Sequence, residues 1–391
     1  MEKRSLKIRK TLLIVLLVLL VLPAIQYSLA LVKLDPLKGA ITKPEKVDFT
    51  LKDWFSGSFQ EQEEKYINES FGFRSLFVRI NNQLMFNLFK KAKAKGVVIG
   101  KNGYLFEEHY INAYYGSDFV GVDSIKHRMD RLKYIQDRLS KLNKTLLIVF
   151  APGKASFYPE YIPENMKTAK KITNYQQTLN TVKSLGINHI DFNQYFINHK
   201  NIAQYPLYPK YGIHWSYYGS CLAADSIEKY IERIRKIDMP NISWKYVKMA
   251  EAKESDYDIG DGMNLLFKLK GEKLAYPLLQ FEKGTDKTKP SLLVISDSFY
   301  WGMYSFGFTK VFSKNHFWYY NKDVYPDCTE RPLKASQLNL KDQIMQHDVI
   351  MIMSTETTLK TMGWGFIENA YKTLKEMERT NTRINPAEKK D

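Results

Sequence analysis

Three runs constrain what this chain can fold into more than any other feature. Residues 145–151 (TLLIVFA), 291–295 (SLLVI) and 348–353 (DVIMIM) are apolar beyond their first residue. A strand with one wet face alternates polar and apolar residues; these do not, so they predict strands buried on both faces. Helical spacing between them, at 122–142, 174–185 and 217–234, supplies the covering layers. A further short strand is expected at 187–191. The predicted fold is an α/β, three-layer α/β/α sandwich with a mainly parallel sheet. The chain has 391 residues, 44% of them hydrophobic and 26% charged, which is enough for a large packed core and unlike a disordered or collagenous chain.

The first residues set a second constraint. Lys3, Arg4, Lys7, Arg9 and Lys10 precede an apolar run over 11–32, interrupted by Pro23, Gln26 and Ser28. About 22 residues at ~1.5 Å rise each can cross a bilayer. The basic flank should stay cytoplasmic, which places the rest outside. The run reads as a retained signal anchor in the inner (cytoplasmic) membrane, single-pass, with the bulk extracytoplasmic (periplasmic). The rival reading is a cleaved signal peptide, with Ser28-Leu29-Ala30 as the small-x-small site. The expected organisation is a basic cytoplasmic tail (1–10), the anchor (11–32), a linker (33–53), one large domain (54–375) opening with one or two helices before residue 89, and a polar, frayed tail (376–391).

The net charge of 58 − 42 = +16 is spread along the chain and comes with no nucleic-acid motif, so anionic lipid or an acidic polymer is the expected partner and nucleic acid is not. Two cysteines, Cys221 and Cys328, rule out a disulfide framework; one bridge or two free thiols remain. Asp256, Asp258 and Asp261 resemble the start of a calcium loop, but its twelfth position is Phe267 rather than Glu. Gly100, Lys101 and Gly103 do not form a P-loop. No histidine has partners at a zinc spacing, and neither metal nor cofactor is expected.

In parallel α/β sheets ligands bind at the carboxyl ends of strands. The 291–295 strand runs straight into Ser296-Asp297-Ser298-Phe299-Tyr300, which makes Ser298 a candidate nucleophile. A serine hydroxyl needs a base, and His214, in an aromatic-rich loop ending His214-Trp215-Ser216, is the histidine best placed to open a helix beside a site.

Taken in order, the segments Val98-Ile99-Gly100-Lys101-Asn102-Gly103-Tyr104-Leu105-Phe106, APGKASFYP, HWS, SDSFY and a last strand ending Ser354-Thr355-Glu356 resemble the SGNH-hydrolase-like domain of the alginate O-acetyltransferases of the AlgX and AlgJ type, from about residue 54 to 371. The resemblance implies an O-acetyltransferase of a cell-surface or secreted polysaccharide, with Ser298 as nucleophile and His214 as catalytic histidine, and a membrane-bound O-acyltransferase as the partner delivering acetyl groups. An acetyl esterase, or an inactive polysaccharide-binding subunit, are the alternatives. The family places an acid two residues before the histidine, where this chain has Gly212. Either another carboxylate substitutes, or His214 and Ser298 act as a dyad, or the site is inactive. Glu356 is a candidate for that acid by position alone. Asp297 is expected to brace the nucleophile loop. Trp215 and Tyr300 could stack on a sugar ring or pack in the core. Lys154 could meet an anionic polymer or be simply solvated.

Overall fold

The apolar runs form the centre of the sheet, as their lack of alternation requires. In chain order the strands are β1 (Val97–Ile99), β2 (Leu105–Glu107), β3 (Thr145–Ala151), β4 (His189–Asp191), β5 (Ile242–Ala250), β6 (Leu274–Phe281), β7 (Ser291–Ser296), β8 (Lys314–Tyr319), β9 (Asp323–Tyr325) and β10 (Val349–Thr355). The computed structural model describes residues 2–39, 45–326 and 333–384. Among these, the main sheet has the order β4-β3-β10-β7-β8-β9, parallel except for the edge strand β9. Ile352 of β10 lies between Ile148 of β3 and Ile295 of β7, and every residue of β3, β7 and β10 is buried.

One face of the sheet carries Leu146, Ile148, Phe150, Leu293, Ile295, Ile350 and Ile352, which pack with Ile125, Met129, Leu132 and Ile135 of the Val122–Lys141 helix and with Phe366, Ile367 and Ala370 of the Phe366–Ile384 helix. Alternation turns the intervening side chains to the opposite face. The Tyr217–Arg235 helix begins just after His214, and its last residue, Arg235, bonds Thr145 Oγ1 and the Asp348 carbonyl where β3 and β10 start. It therefore runs the length of the sheet. Cys221 on this helix is buried and free, while Cys328 lies outside the described residues.

Three features depart from the sequence expectation. β5 and β6 form a separate antiparallel pair, with a register irregularity between Trp244 and Val247. The aromatic run Lys314–Tyr319 is a strand as well. The region from Glu376 is not frayed: the helix continues to Ile384, held by Glu378, whose carboxylate accepts from Arg138 and Tyr134. Residues 385–391 lie outside the described residues.

The described chain divides into two compact units, residues 1–97 with 260–270, and residues 98–259 with 271–391. In the first, a helix spans Glu2–Leu29, and its exposed Ser5–Leu29 portion is long and apolar enough to cross a membrane. Gln26 closes its end, donating to the Val32 carbonyl at 2.6 Å and accepting from the Val32 amide at 3.0 Å. Helices Leu51–Ser56, Ser58–Ser70 and Arg74–Phe89 follow. Thr50 caps the first of them. The turn at Gly72 sits so tightly on the long helix that a Cβ there would lie 2.7 Å from Gln26 Cβ and from the Tyr27 amide nitrogen.

Candidate active site

From Ser291 to Tyr300 every residue is buried except Ser298. The turn that ends β7 thus presents one hydroxyl and hides its neighbours. Asp297 makes this possible from below: its carboxylate accepts from the Phe299 amide at 3.1 Å, the Thr355 amide at 2.9 Å, Thr355 Oγ1 at 3.0 Å and Thr358 Oγ1 at 2.8 Å, tying the β7 turn to the end of β10.

His214 Nε2 lies 2.8 Å from Ser298 Oγ, and its Nδ1 lies 2.6 Å from Asp258 Oδ2. An ionised carboxylate only accepts, so Nδ1 carries the proton and Nε2 is free to accept from the serine. Asp258 is itself fixed, since Oδ1 accepts from the amides of Ile213 at 2.9 Å and Ile259 at 2.7 Å. Burial alone would lower the His214 pKa; the charge and hydrogen bond of Asp258, helped by Asp297 and Glu107, outweigh it and leave the pKa raised.

Asp258 was missed in sequence because it stands 44 residues from His214 in the segment that resembled a failed calcium loop. The structure sends the three aspartates to different partners: Asp256 accepts from the Tyr217 amide, Asp258 meets His214, and Asp261 pairs with Lys38. Gly212 was the available clue. A Cβ there would lie 2.8 Å from the Asp256 carbonyl carbon and 2.9 Å from its oxygen. The position that would bear an acid in the related pattern is filled by the backbone of residues 255–256, and the same segment delivers Asp258 instead.

Other candidates are placed differently from expectation. Glu356 is not the partner of His214: it is buried, accepts from Ser156 Oγ at 2.7 and 2.6 Å and from Asn193 Nδ2, and burial raises its pKa against those bonds. Trp215 and Tyr300 cannot stack on a ligand, being 2% and 0% exposed. Trp215 packs against Phe192, Phe196 and Phe299, and the Tyr300 hydroxyl accepts from Asn315 at 2.8 Å. Lys154 is neither solvated nor available to a polymer. It is fully buried, donating to the carbonyls of Lys210 at 2.9 Å and Gly212 at 2.6 Å. Burial lowers its pKa to about 7, against the pull of Asp258 and Glu107. It staples the loop that carries His214. Near Ser298, Tyr320 faces outward at φ 51°; its amide bonds the Ser296 carbonyl and its ring stands perpendicular to Trp364 at 5.1 Å. A cavity of about 450 Å³ lined by Trp318, Leu338, Phe366 and Lys372, among others, includes none of the Ser298, His214 and Asp258 side chains.

A serine bonded to an oriented histidine at the carboxyl end of a mainly parallel sheet fits an SGNH hydrolase-like α/β fold. Residues 97–286 match the family model of the SGNH hydrolase-like domain of acetyltransferase AlgX. The match includes His214 and Asp258 and ends before Ser298. Solved structures with a similar arrangement include the O-acetyltransferase domain of Pseudomonas putida AlgJ (14% identity, covering 71% of this chain and 99% of that one, TM-score 0.49). Pseudomonas aeruginosa AlgX (14%, 70% and 67%, 0.45) and a sulfonyl adduct of Bacillus cereus PatB1 (14%, 67% and 97%, 0.43) are two more. No curated protein matches the sequence.

Proposed function

We propose that this chain is a membrane-anchored, extracytoplasmic O-acetyltransferase that acetylates hydroxyls of a polysaccharide through Ser298, His214 and Asp258. The observation that carries the reading is the unbroken relay from Ser298 Oγ through both imidazole nitrogens to Asp258. Ser298 Oγ attacks the acetyl carbonyl carbon while His214 Nε2 takes its proton. The tetrahedral intermediate collapses, the proton passes to the leaving group, and acetyl-Ser298 remains. A sugar hydroxyl then gives its proton to Nε2, attacks the acetyl carbon, and regenerates the serine. Asp258 holds the ring and stabilises the imidazolium in both halves. The Ser298 amide is the proposed oxyanion donor. The outward ring of Tyr320, in place of Trp215 or Tyr300, is the proposed sugar-facing surface.

The basic flank and apolar helix at the N-terminus support an anchor with the domain outside, where a membrane-bound O-acyltransferase would supply the acetyl donor. Asp258, bonded to His214, supports the active reading over an inactive binding subunit, because it supplies an acid where 212 has none.

The test is intact-mass measurement of the full-length protein in detergent after exposure to a chromogenic acetyl ester, for wild type, Ser298→Ala and His214→Ala. Gain of one acetyl group by wild type, abolished in Ser298→Ala, is the expected result. Adding an oligosaccharide should shift the acetyl group from water to sugar; release to water alone would identify an esterase. Unacylated wild type with no ester turnover would overturn the proposal.

A further inference from the structure

The first unit carries an apolar surface that the acetyl-transfer chemistry does not use. On the Arg74–Phe89 helix, Phe77, Ile80, Leu84 and Leu88 are all exposed, and their spacing of three, four and four residues aligns them in one stripe. Trp54, Phe55 and Phe89 are exposed in the same unit. Phe267 adds to them from the 260–270 segment, with its amide donating to Gln83 Oε1 on the helix at 3.1 Å.

Charge says what covers this stripe. Residues 74–95 contain Arg74, Arg79, Lys90, Lys91, Lys93 and Lys95 and no acidic residue, whereas the neighbouring Ser58–Ser70 helix carries Glu61, Glu63, Glu64 and Glu69. An apolar stripe ending in a lysine cluster is the pattern of a helix lying in a lipid headgroup layer. Position agrees. The turn before the helix is seated on residues 26 and 27 of the long apolar helix, Tyr27 and Tyr66 share a hydrogen bond of 2.8 Å, and Arg79 donates to the Asp35 and Pro36 carbonyls just beyond it.

We infer that the Arg74–Phe89 helix is an interfacial element, its Phe77–Ile80–Leu84–Leu88 stripe in the bilayer surface and Lys90, Lys91, Lys93 and Lys95 on anionic headgroups. This rests on the anchor reading proposed above.

The experiment uses the full-length chain with Cys221→Ser and Cys328→Ser, reconstituted in phosphatidylcholine–phosphatidylglycerol vesicles containing a nitroxide-labelled lipid. A fluorescent label is placed in turn at Leu20→Cys, Leu84→Cys and Glu64→Cys. Loss of most emission at 20 and 84, with none at 64, is expected. Replacing Lys90, Lys91, Lys93 and Lys95 together by Gln, or omitting phosphatidylglycerol, should restore emission at 84 but not at 20. Quenching at 20 with none at 84 overturns the inference and leaves the anchor standing; that stripe then belongs to a protein partner. No quenching at 20 overturns the anchor and the inference together.

Discussion

Asp258 and Glu356 are two carboxylates held by comparable numbers of hydrogen bonds, and they do opposite things. Glu356 sits directly after β10, at the carboxyl edge where an α/β enzyme keeps its chemistry, and is surrounded by the neutral donors Ser156 and Asn193. Asp258 comes from a segment between β5 and β6, is partly exposed, and touches the imidazole that bonds Ser298. For Glu356 the hydrogen bonds of its neutral donors do not make up for burial, so its pKa rises. A carboxylate met by a titrating imidazole passes its charge on to that ring. Placement at the sheet edge does not bring a carboxylate to the histidine; the packing of the 255–258 segment does.

The largest effect that can break this comparison is Asp258→Asn. It should lower kcat by about 10⁴, as expected when the orienting acid is lost, while thermal unfolding stays near wild type. Retained activity, or activity lost equally in Glu356→Gln, would remove the distinction. Lys154→Met should come next. Freed from Lys154, the 210–212 loop lets His214 drift, and kcat should fall by roughly 10²-fold with little change in KM. Glu356→Ala should show the reverse pattern: unfolding destabilised by roughly 1–3 kcal/mol by the unpaired Ser156 and Asn193 groups, with kcat changed less than about threefold.

The smallest effect concerns pH. His214 must be neutral to accept a proton, and its pKa is raised, so activity should climb with pH through a value above 6.5. Glu107 contributes to that rise. Glu107→Gln should therefore move the acid limb of kcat/KM to lower pH, without altering the plateau.

The sheet was legible because β3, β7 and β10 have no polar alternation, and only a doubly covered strand tolerates that. Ser298 and His214 stood out by residue type and order along the chain. Asp258 did not, since its meeting with His214 depends on how a segment 44 residues away packs over Gly212, which no local pattern encodes. The misplacement of Trp215 and Tyr300 has one cause. Adjacency in sequence to a site residue says nothing about which way a turn faces, and around both Ser298 and His214 the neighbours face inward. β5 was hidden because its mostly exposed residues leave no clean alternation, and β6 because Pro277 interrupts its apolar run and argues against a strand.

The chain's crossing between its two units bears on how the protein can be cut. The family-matched segment starts at residue 97, which invites a soluble version beginning there. Residues 260–270 would remain in such a fragment without the groups they pack on. Met263 would lose the Asn82 side chain, Asp261 would lose Lys38, and this would happen within a few residues of Asp258. The unit of inheritance and the unit of folding therefore have different borders, and a truncation that keeps the triad intact should begin no later than the residues preceding Lys38.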